Sequence, residues 1–311
     1  MSTASSTTNE LVSILMPYYE LGEFLLEAVD SVRAQTYQNW ELLIVDDCSP
    51  SLPATTVLAE INDPRVKIFR HDENRGCSAG RNTAASHSRG GFFIPLDSDD
   101  LLSPNYIEAT LNMLKKEDAS AVFTDVQIFG MHSYIYTPSA DLGDIVCGHY
   151  PHNTLIFKRE LFDQVGGYKN IKAITDTDFW MSLLETGAKF AHLPEPLYHY
   201  RRHPDSWCRQ FTALTAAFYD VLLRHLDTTK KHVPRMLEKS IKEFDHQLAL
   251  REAPESQYQK YQRLHKEFHD LLREYEHLEK QAQKTEEILG SLPQLIKQFS
   301  YVTLKRVGLK S

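Results

Sequence analysis

No stretch of the 311-residue chain holds the ~20 consecutive apolar residues that a membrane-crossing helix needs. Positive charge is also short. Lys and Arg number 34 against 42 Asp and Glu, a formal net charge of −8, so a nucleic-acid role has no electrostatic footprint. The opening MSTASSTTNE is polar and has no apolar core, so it reads as a disordered segment over residues 1–10 rather than a secretory signal. Cysteine is scarce. Cys48, Cys77, Cys147 and Cys208 include no C-x-x-C pair, which excludes a zinc ribbon or a disulfide framework and fits reduced cytosolic thiols. These absences predict a cytoplasmic protein, either free or peripheral on the inner face of the cell membrane.

What is present is a sizeable apolar fraction, 42% of the chain, delivered in short runs. Residues 11–16, 42–45, 66–69 and 92–96 are of strand length and read as buried runs. Between them, residues 24–36 repeat apolar side chains at helical spacing (Leu25, Ala28, Val29, Val32). Residues 79–89 form a helix pattern rich in small side chains, and residues 105–116 another. Apolar strands alternating with helices predict an α/β sheet covered on both faces. Ligands bind such sheets beyond the carboxyl ends of the strands. Tyr19, Asp46, Asp47, Asp97, Asp99 and Asp100 fall at those ends and are expected to share one rim.

PLDSDDLLSP, residues 95–104, crowds Asp97, Asp99 and Asp100 directly after one of these strands. Adjacent carboxylates repel, and they cannot all stay ionised cheaply. A hard divalent cation such as Mg²⁺ or Mn²⁺ relieves this, taking one or two carboxylates and sharing its other positions with phosphate oxygens and water. The pattern therefore fits a clamp for a metal–diphosphate, with either Asp99 or Asp100 as the direct ligand. A solvated loop capping the next helix is the plain alternative.

The segment VSILMPYYELGEFLLEAVDSVRAQTYQNWELLIVDDCSP, residues 12–50, resembles the opening of the family 2 glycosyltransferases. The likeness continues through NRGCSAGRNTA (74–84), PLDSDDLLSP, DTDFW (176–180) and HYRRHPDS (199–206), in the family's order and over about two-thirds of the chain. It implies a GT-A fold, a Rossmann-like nucleotide-binding sheet with an acceptor half. It also implies a metal-dependent inverting transferase using Mn²⁺ or Mg²⁺ and a nucleotide-sugar donor, UDP- or dTDP-linked. The acceptor would be a hydroxyl of a glycan or lipid-linked molecule, in envelope polysaccharide or glycolipid synthesis.

Carried over residue by residue, Pro17 and Tyr19 match the segment that lies along the base, with Glu20 where Asn is more usual. Asp47 matches the carboxylate that bonds the base, and Asp46 orients the loop. Arg81 would bring positive charge to the diphosphate, and Gly76 and Gly80 would allow close backbone approach. Asp97, Ser98 and Asp99 match the D-x-D. His203 would reach the metal or phosphates, and Arg201 and Arg202 would add charge to a loop folded over the diphosphate. Asp176 is the expected general base, because Thr175 and Asp178 form a T-x-x-D capping box that gives Asp178 a structural task. Thr175 stands where the family usually has Glu. Trp180, one turn beyond Asp176, would either stack on an acceptor sugar or pack in the core.

A nucleotidyltransferase would want a Gly/Lys-rich loop after the first strand, and a phosphohydrolase an Asp there. PYYELGEF, residues 17–24, offers neither. A catalytically degenerate scaffold remains the non-enzymatic alternative. From residue 213 the pattern is helical, with a helical segment over 213–255 and a coiled-coil helix over 256–289. In the latter, Tyr261, Leu264, Phe268, Leu271, Tyr275, Leu278 and Ala282 repeat as a heptad seam suited to a homo-oligomer. Residues 290–311 form a cationic amphipathic tail. Residues 292–311 would lie on an anionic membrane surface or pack on a neighbouring subunit.

Overall fold

The structure, a computed structural model, describes residues 10–149, 151–171, 174–203 and 211–249. The expected coiled coil and basic tail lie outside the described residues. In chain order the elements are β1 (Val12–Tyr18), α1 (Gly22–Arg33), β2 (Trp40–Asp46), α2 (Ala54–Val57), β3 (Val66–Arg70), α3 (Cys77–His87), β4 (Phe92–Pro95), β5 (Leu101–Leu102), α4 (Tyr106–Lys116), β6 (Ala121–Gly130), β7 (Tyr134–Tyr136), α5 (Leu142–Val146), β8 (Ile156–Lys158), α6 (Arg159–Val165), α7 (Thr175–Glu185), β9 (Phe190–Arg202), α8 (Phe211–Arg224) and α9 (Leu226–Ala249). The chain divides into two compact units, with the break between His225 and Leu226. The first unit therefore includes α8, beyond the boundary expected at residue 212. Among the described residues no helix is long and apolar enough to cross a membrane.

The strands form one mixed sheet in the order β3-β2-β1-β4-β8-β6-β9-β5, with β7 on β6. The β3-β2-β1-β4 half is parallel. β8 runs antiparallel between β4 and β6, and β9 runs parallel to β6. Every residue of β1 and β2 is buried, as parallel strands covered on both faces require. Alternate side chains serve two core layers. Ile14, Met16 and Ile44 meet Leu25 and Val29 of α1 and Ile107 of α4, while Leu15, Leu43 and Val45 meet Ala84 and Ala85 of α3 and Phe179 of α7. The run at 66–69 departs from expectation. As edge strand β3 it is half-buried, not buried.

Two local details aim the first strand at the rim. Pro17 lies inside β1, where a missing N–H would normally break a ladder. Leu15 accepts from Leu96 on the β4 side, and Pro17 faces that same side two residues further on, past the end of the β1–β4 pairing. Its absent donor therefore costs nothing. Gly80 lets α3 lie against this point. A Cβ there would sit 3.0 Å from the Pro17 Cβ, so the close approach is to the strand itself. Gly76 has a different role, a φ of 86° at the N-cap of α3, a conformation natural only to glycine.

Gly80→Val is expected to destabilise the first unit by about 1–3 kcal/mol through overpacking, read as a lower urea midpoint. Gly91→Ala is the control, since a Cβ there meets nothing within 4 Å and the midpoint should stay in place.

Candidate active site

The strand ends meet as the register dictates. Tyr18 lies opposite Asp46, and Asp46 opposite Arg70. Asp46 is buried and accepts from the Ser49 and Ala54 backbone N–H groups and from Arg70 Nη1 at 2.8, 3.0 and 2.5 Å. It therefore orients the loop after β2, the task expected of it. Glu20, at φ 58°, holds the other side of that loop, accepting from the Ser51 and Leu52 N–H groups. Those bonds draw its carboxyl below the usual range. Tyr18 is buried and donates to the Leu52 carbonyl, and burial followed by the charges of Asp46 and Glu20 pushes its phenol up to about 12. Tyr19, 45% exposed, is left on the open rim.

Asp47 is more heavily engaged than its expected role suggests. Its Oδ1 lies 2.7 Å from His71 Nδ1 and accepts from the Arg75 N–H, and its Oδ2 accepts from the Gly76 N–H. It thus ties the turn before α3 to the end of β2, and any contact with a base must share a carboxylate already holding that turn. His71, unmarked by any motif, braces it and lies 2.9 Å from Thr83 Oγ1 on the far side.

Arg81 is the centre of the site. Its side chain is 2% exposed, and its guanidinium reaches Asp97 Oδ1 through Nη2 at 2.7 Å and Asp176 Oδ1 through Nη1 at 2.6 Å. Thr175 Oγ1 lies 3.5 Å from Nη1, and the cation sits 5.1 Å from the centre of the Tyr168 ring. Burial opposes its charge, but Asp176 and Asp97 outweigh that and hold it protonated. Neither carboxylate is sealed off, at 31% and 30% exposure. Burial lifts the Asp176 carboxyl above the usual range against the pull of Arg81, with Asp97 adding to the rise. A carboxylate made more basic in this way suits proton abstraction.

The remaining acidic residues divide by depth. Asp99 keeps its Oδ2 3.1 Å from His203 Nε2, and burial, then the charge of Asp97, lifts its carboxyl. Asp100 is fully buried. Its Oδ2 takes the Tyr198 hydroxyl and its Oδ1 the Arg201 N–H, so it ties the acidic turn to β9 and has no oxygen turned to the rim. Ser98, between Asp97 and Asp99 in the chain, is buried. Arg201 differs from the diphosphate-binding role expected of it. It donates to the Asp99 carbonyl and to Glu27 and lies 4.5 Å from the ring centres of both Phe24 and Phe129, a strut rather than a free cation.

Arg202 is different again. Its guanidinium sits 5.7 Å from the Tyr200 ring centre, and its buried Nε lacks a protein partner. His152, with no sequence signal, packs 4.7 Å from the same ring. Burial, then Arg202, pushes its imidazole down to about 4. Next to it, both polar atoms of the buried Asn153 amide are unpartnered, as are Arg81 Nε and the Tyr168 hydroxyl. Each such group costs about 1–3 kcal/mol when left unpaired, which favours a polar ligand on this side of the rim.

One expectation about α7 is overturned, and one left open between two readings is decided. The N-cap is Ile174, at φ 56°, and no side chain caps the helix. Thr175 is already inside it, turned to Arg81 and to Cys77 Sγ at 3.9 Å, so the capping box does not form. Trp180 is fully buried among Phe157, Phe179 and Phe190 and cannot stack on a sugar. Asp178 points away from the rim. It lies 3.5 Å from His225 Nε2, while Glu185 Oε2 lies 2.8 Å from His225 Nδ1. His225, just past α8, thereby pins both ends of α7.

Arg81→Gln strips Asp97 and Asp176 of their shared partner. Water reaching those carboxylates moderates the loss, to about 3 kcal/mol, the low end for breaking a buried pair, measurable by urea unfolding. His225 has a second signature. Burial works against its charge, but Asp178 and Glu185 outweigh that and raise its pKa. Its stabilisation is therefore complete below its unfolded value of about 6.5 and is lost as pH rises through the folded value. His225→Gln should flatten that part of the stability–pH curve, compared by urea unfolding at about pH 5.5 and about pH 9.

The chain is similar to known proteins in sequence and in fold. The model of the family described as Glycosyl transferase family 2 matches residues 13–175, just over half of the chain. The Escherichia coli protein named UDP-Glc:alpha-D-GlcNAc-diphosphoundecaprenol beta-1,3-glucosyltransferase WfgD is 36% identical over 125 residues, covering 40% of this chain and 49% of that one. The chain thus spans about half the length of that relative. Among solved structures, S. aureus TarS 1–349 in complex with UDP-GlcNAc superposes with a TM-score of 0.62 at 17% identity, covering 76% of this chain and 73% of that one. The mannosyltransferase PcManGT of Pyrobaculum calidifontis, in complex with GDP-Man and Mn²⁺, gives 0.50 at 18%, covering 75% and 64%. The family match over residues 13–175, laid on this sheet and rim, makes the chain a member of glycosyl transferase family 2, a glycosyltransferase on the GT-A fold.

Proposed function

We propose that the enzyme moves a sugar, with inversion, from a UDP- or dTDP-linked donor to a hydroxyl of a glycan or lipid-linked acceptor, in envelope polysaccharide or glycolipid synthesis. The observation that carries this reading is the Arg81 guanidinium, shared between Asp97 and Asp176. It puts a candidate base beside the residues that would meet a diphosphate. The UDP-GlcNAc bound by TarS and the UDP-Glc in the name of WfgD support a uridine donor.

In this mechanism Tyr19 and Asp47 receive the base, and Asp97 and Ser98 flank the ribose and diphosphate. Asp176 Oδ takes the proton of the acceptor hydroxyl. The resulting oxygen attacks the anomeric carbon from the face opposite the diphosphate, and the bond from that carbon to the phosphate oxygen breaks. The nucleoside diphosphate leaves with the electron pair. Arg81 holds Asp176 in place and keeps positive charge near the departing group, and Arg202, with its unpartnered Nε, adds more.

A divalent cation fits the pair Asp99 and His203. Among the described residues no group of three or more His, Cys, Asp or Glu forms a cation cage. Mg²⁺ and Mn²⁺ take one or two protein ligands and complete their shell from phosphates and water. Burial, and after it the charge of Asp97, raises the Asp99 carboxyl, and such an ion would offset both. Bound there, it would neutralise the leaving diphosphate. Asp100 is not among its ligands in this reading.

UDP with Mn²⁺ at a hundred times its dissociation constant should stabilise the protein by about 2.7 kcal/mol, seen as a thermal shift absent without metal. Asp99→Asn should abolish the metal dependence, and Asp176→Asn should keep UDP binding while losing transfer by a factor of at least ~10². No shift with UDP, dTDP, GDP or CDP would favour the catalytically silent scaffold instead.

A further inference from the structure

The outer flank of α3 carries a groove that the rim does not use. Asn74, Ser78, Asn82, Thr83, Ser86 and Asn170 line it, around a volume of about 620 Å³, within the ~300–1,000 Å³ typical of small-molecule sites. Its α3 members recur at helical spacing along one face, and Asn170 supplies the opposite wall. That wall is tied to the helix. Asn82 donates to the Tyr168 carbonyl and accepts from the Tyr168 N–H, at 2.8 and 2.9 Å.

The lining selects a chemical class. It is made of amides and hydroxyls, which both donate and accept. Ala79 is the one apolar side chain in it, and there is no aromatic ring, so a lipid chain or an apolar peptide would gain little. Glu73 and Arg75 contribute one charge of each sign, so the lining has no net charge with which to favour an ion. Asn82, Thr83 and Ser86 already hold partners in the protein, so a neutral polyhydroxylated ligand would meet their remaining lone pairs together with Asn74, Asn170 and Ser78. Ser78 adds an independent pointer. Its side chain is 3% exposed, and its Oγ has no partner in the protein, yet it lines this groove. A buried hydroxyl left in that state calls for a partner, and one on a groove wall can take it from a bound ligand.

The groove face of α3 adjoins the helix face that carries Cys77 and Arg81. Cys77 sits between the groove residues Arg75 and Ser78, and its Sγ is 3.9 Å from Thr175 Oγ1, one residue before Asp176. Arg81 directly precedes Asn82. We infer that this groove is a subsite for neutral sugar residues of the acceptor, adjacent to the one whose hydroxyl Asp176 would deprotonate. The inference rests on the glycosyl-transfer reading above and names a recognition element for it.

The test is saturation-transfer NMR on the full chain with Mg²⁺ and UDP. The probes are methyl β-glucoside, methyl β-galactoside, N-acetylglucosamine, lactose and cellobiose, with glucuronate as the anionic comparison. At least one neutral saccharide should bind and glucuronate should not. The bound signal should fall at least fivefold in Ser86→Trp, which fills the groove from an exposed helix position, and also fall in Ser78→Ala, which removes the orphan hydroxyl without bulk. UDP binding by both variants should match that of the native chain. A panel with no neutral binder, or a signal that survives Ser86→Trp, overturns the inference while UDP binding leaves the donor reading standing. Failure of UDP to bind the native chain counts against the donor reading and is scored on its own resonances.

Discussion

A guanidinium buried between two carboxylates from distant parts of the chain organises this molecule. Arg81 comes from α3, Asp97 from the turn after β4, and Asp176 from the first turn of α7. A cation at 2% exposure is costly unless paired and hydrogen-bonded, so the three segments cannot separate without stranding it. The helix that carries Arg81 is itself fixed by Gly80, whose missing side chain lets it rest on Pro17 of β1. Strand, helix and both acids are therefore held in one frame. Tyr168 closes that frame from the acceptor half, stacking on Phe179 at 4.0 Å while its main chain is gripped by Asn82.

Around this centre, the rim is rigid where charge is handled and open where ligands would enter. Asp46, Asp47, Glu20 and Asp100 spend their oxygens on backbone N–H groups or neighbouring side chains, each fixing a loop that would otherwise move. Tyr19, Asp97, Asp99 and Asp176 keep some exposure. The result is an edge on which Glu20, Asp46, Asp47 and Asp100 are anchored in advance, while Asp97, Asp99 and Asp176 stay partly exposed beside Arg81 and His203.

How much of this could be read from the sequence follows the distance over which each feature is determined. The parallel half of the sheet was legible because its runs and the α1 periodicity are local; Leu25, Ala28, Val29 and Val32 are the buried face. The edge position of β3 was not, because burial depends on which strand lies beyond it. The acidic turn was legible as a unit, yet Asp99 and Asp100 are separated only by partners about a hundred residues away, Tyr198, Arg201 and His203. Trp180 had equal claims on core and sugar until Phe157, Phe179 and Phe190 closed around it. Thr175 had the right neighbour for a capping box but is drawn inward by Arg81, a contact 94 residues away. His71, His152 and His225 carried no signal at all, since a lone histidine acquires meaning only from what packs against it.

The left-handed backbone at Ile174 adds a property of a different kind. A β-branched residue at φ 56° is strained, and it directly precedes the helix turn that holds Thr175 and Asp176. Relaxing it would shift the start of α7 and swing Asp176 with it, yet Arg81 holds that turn from the front and His225 holds the same helix from behind. The candidate base thus rides on a cocked segment restrained at two points. The restraints, rather than the local backbone preference, hold it facing Arg81.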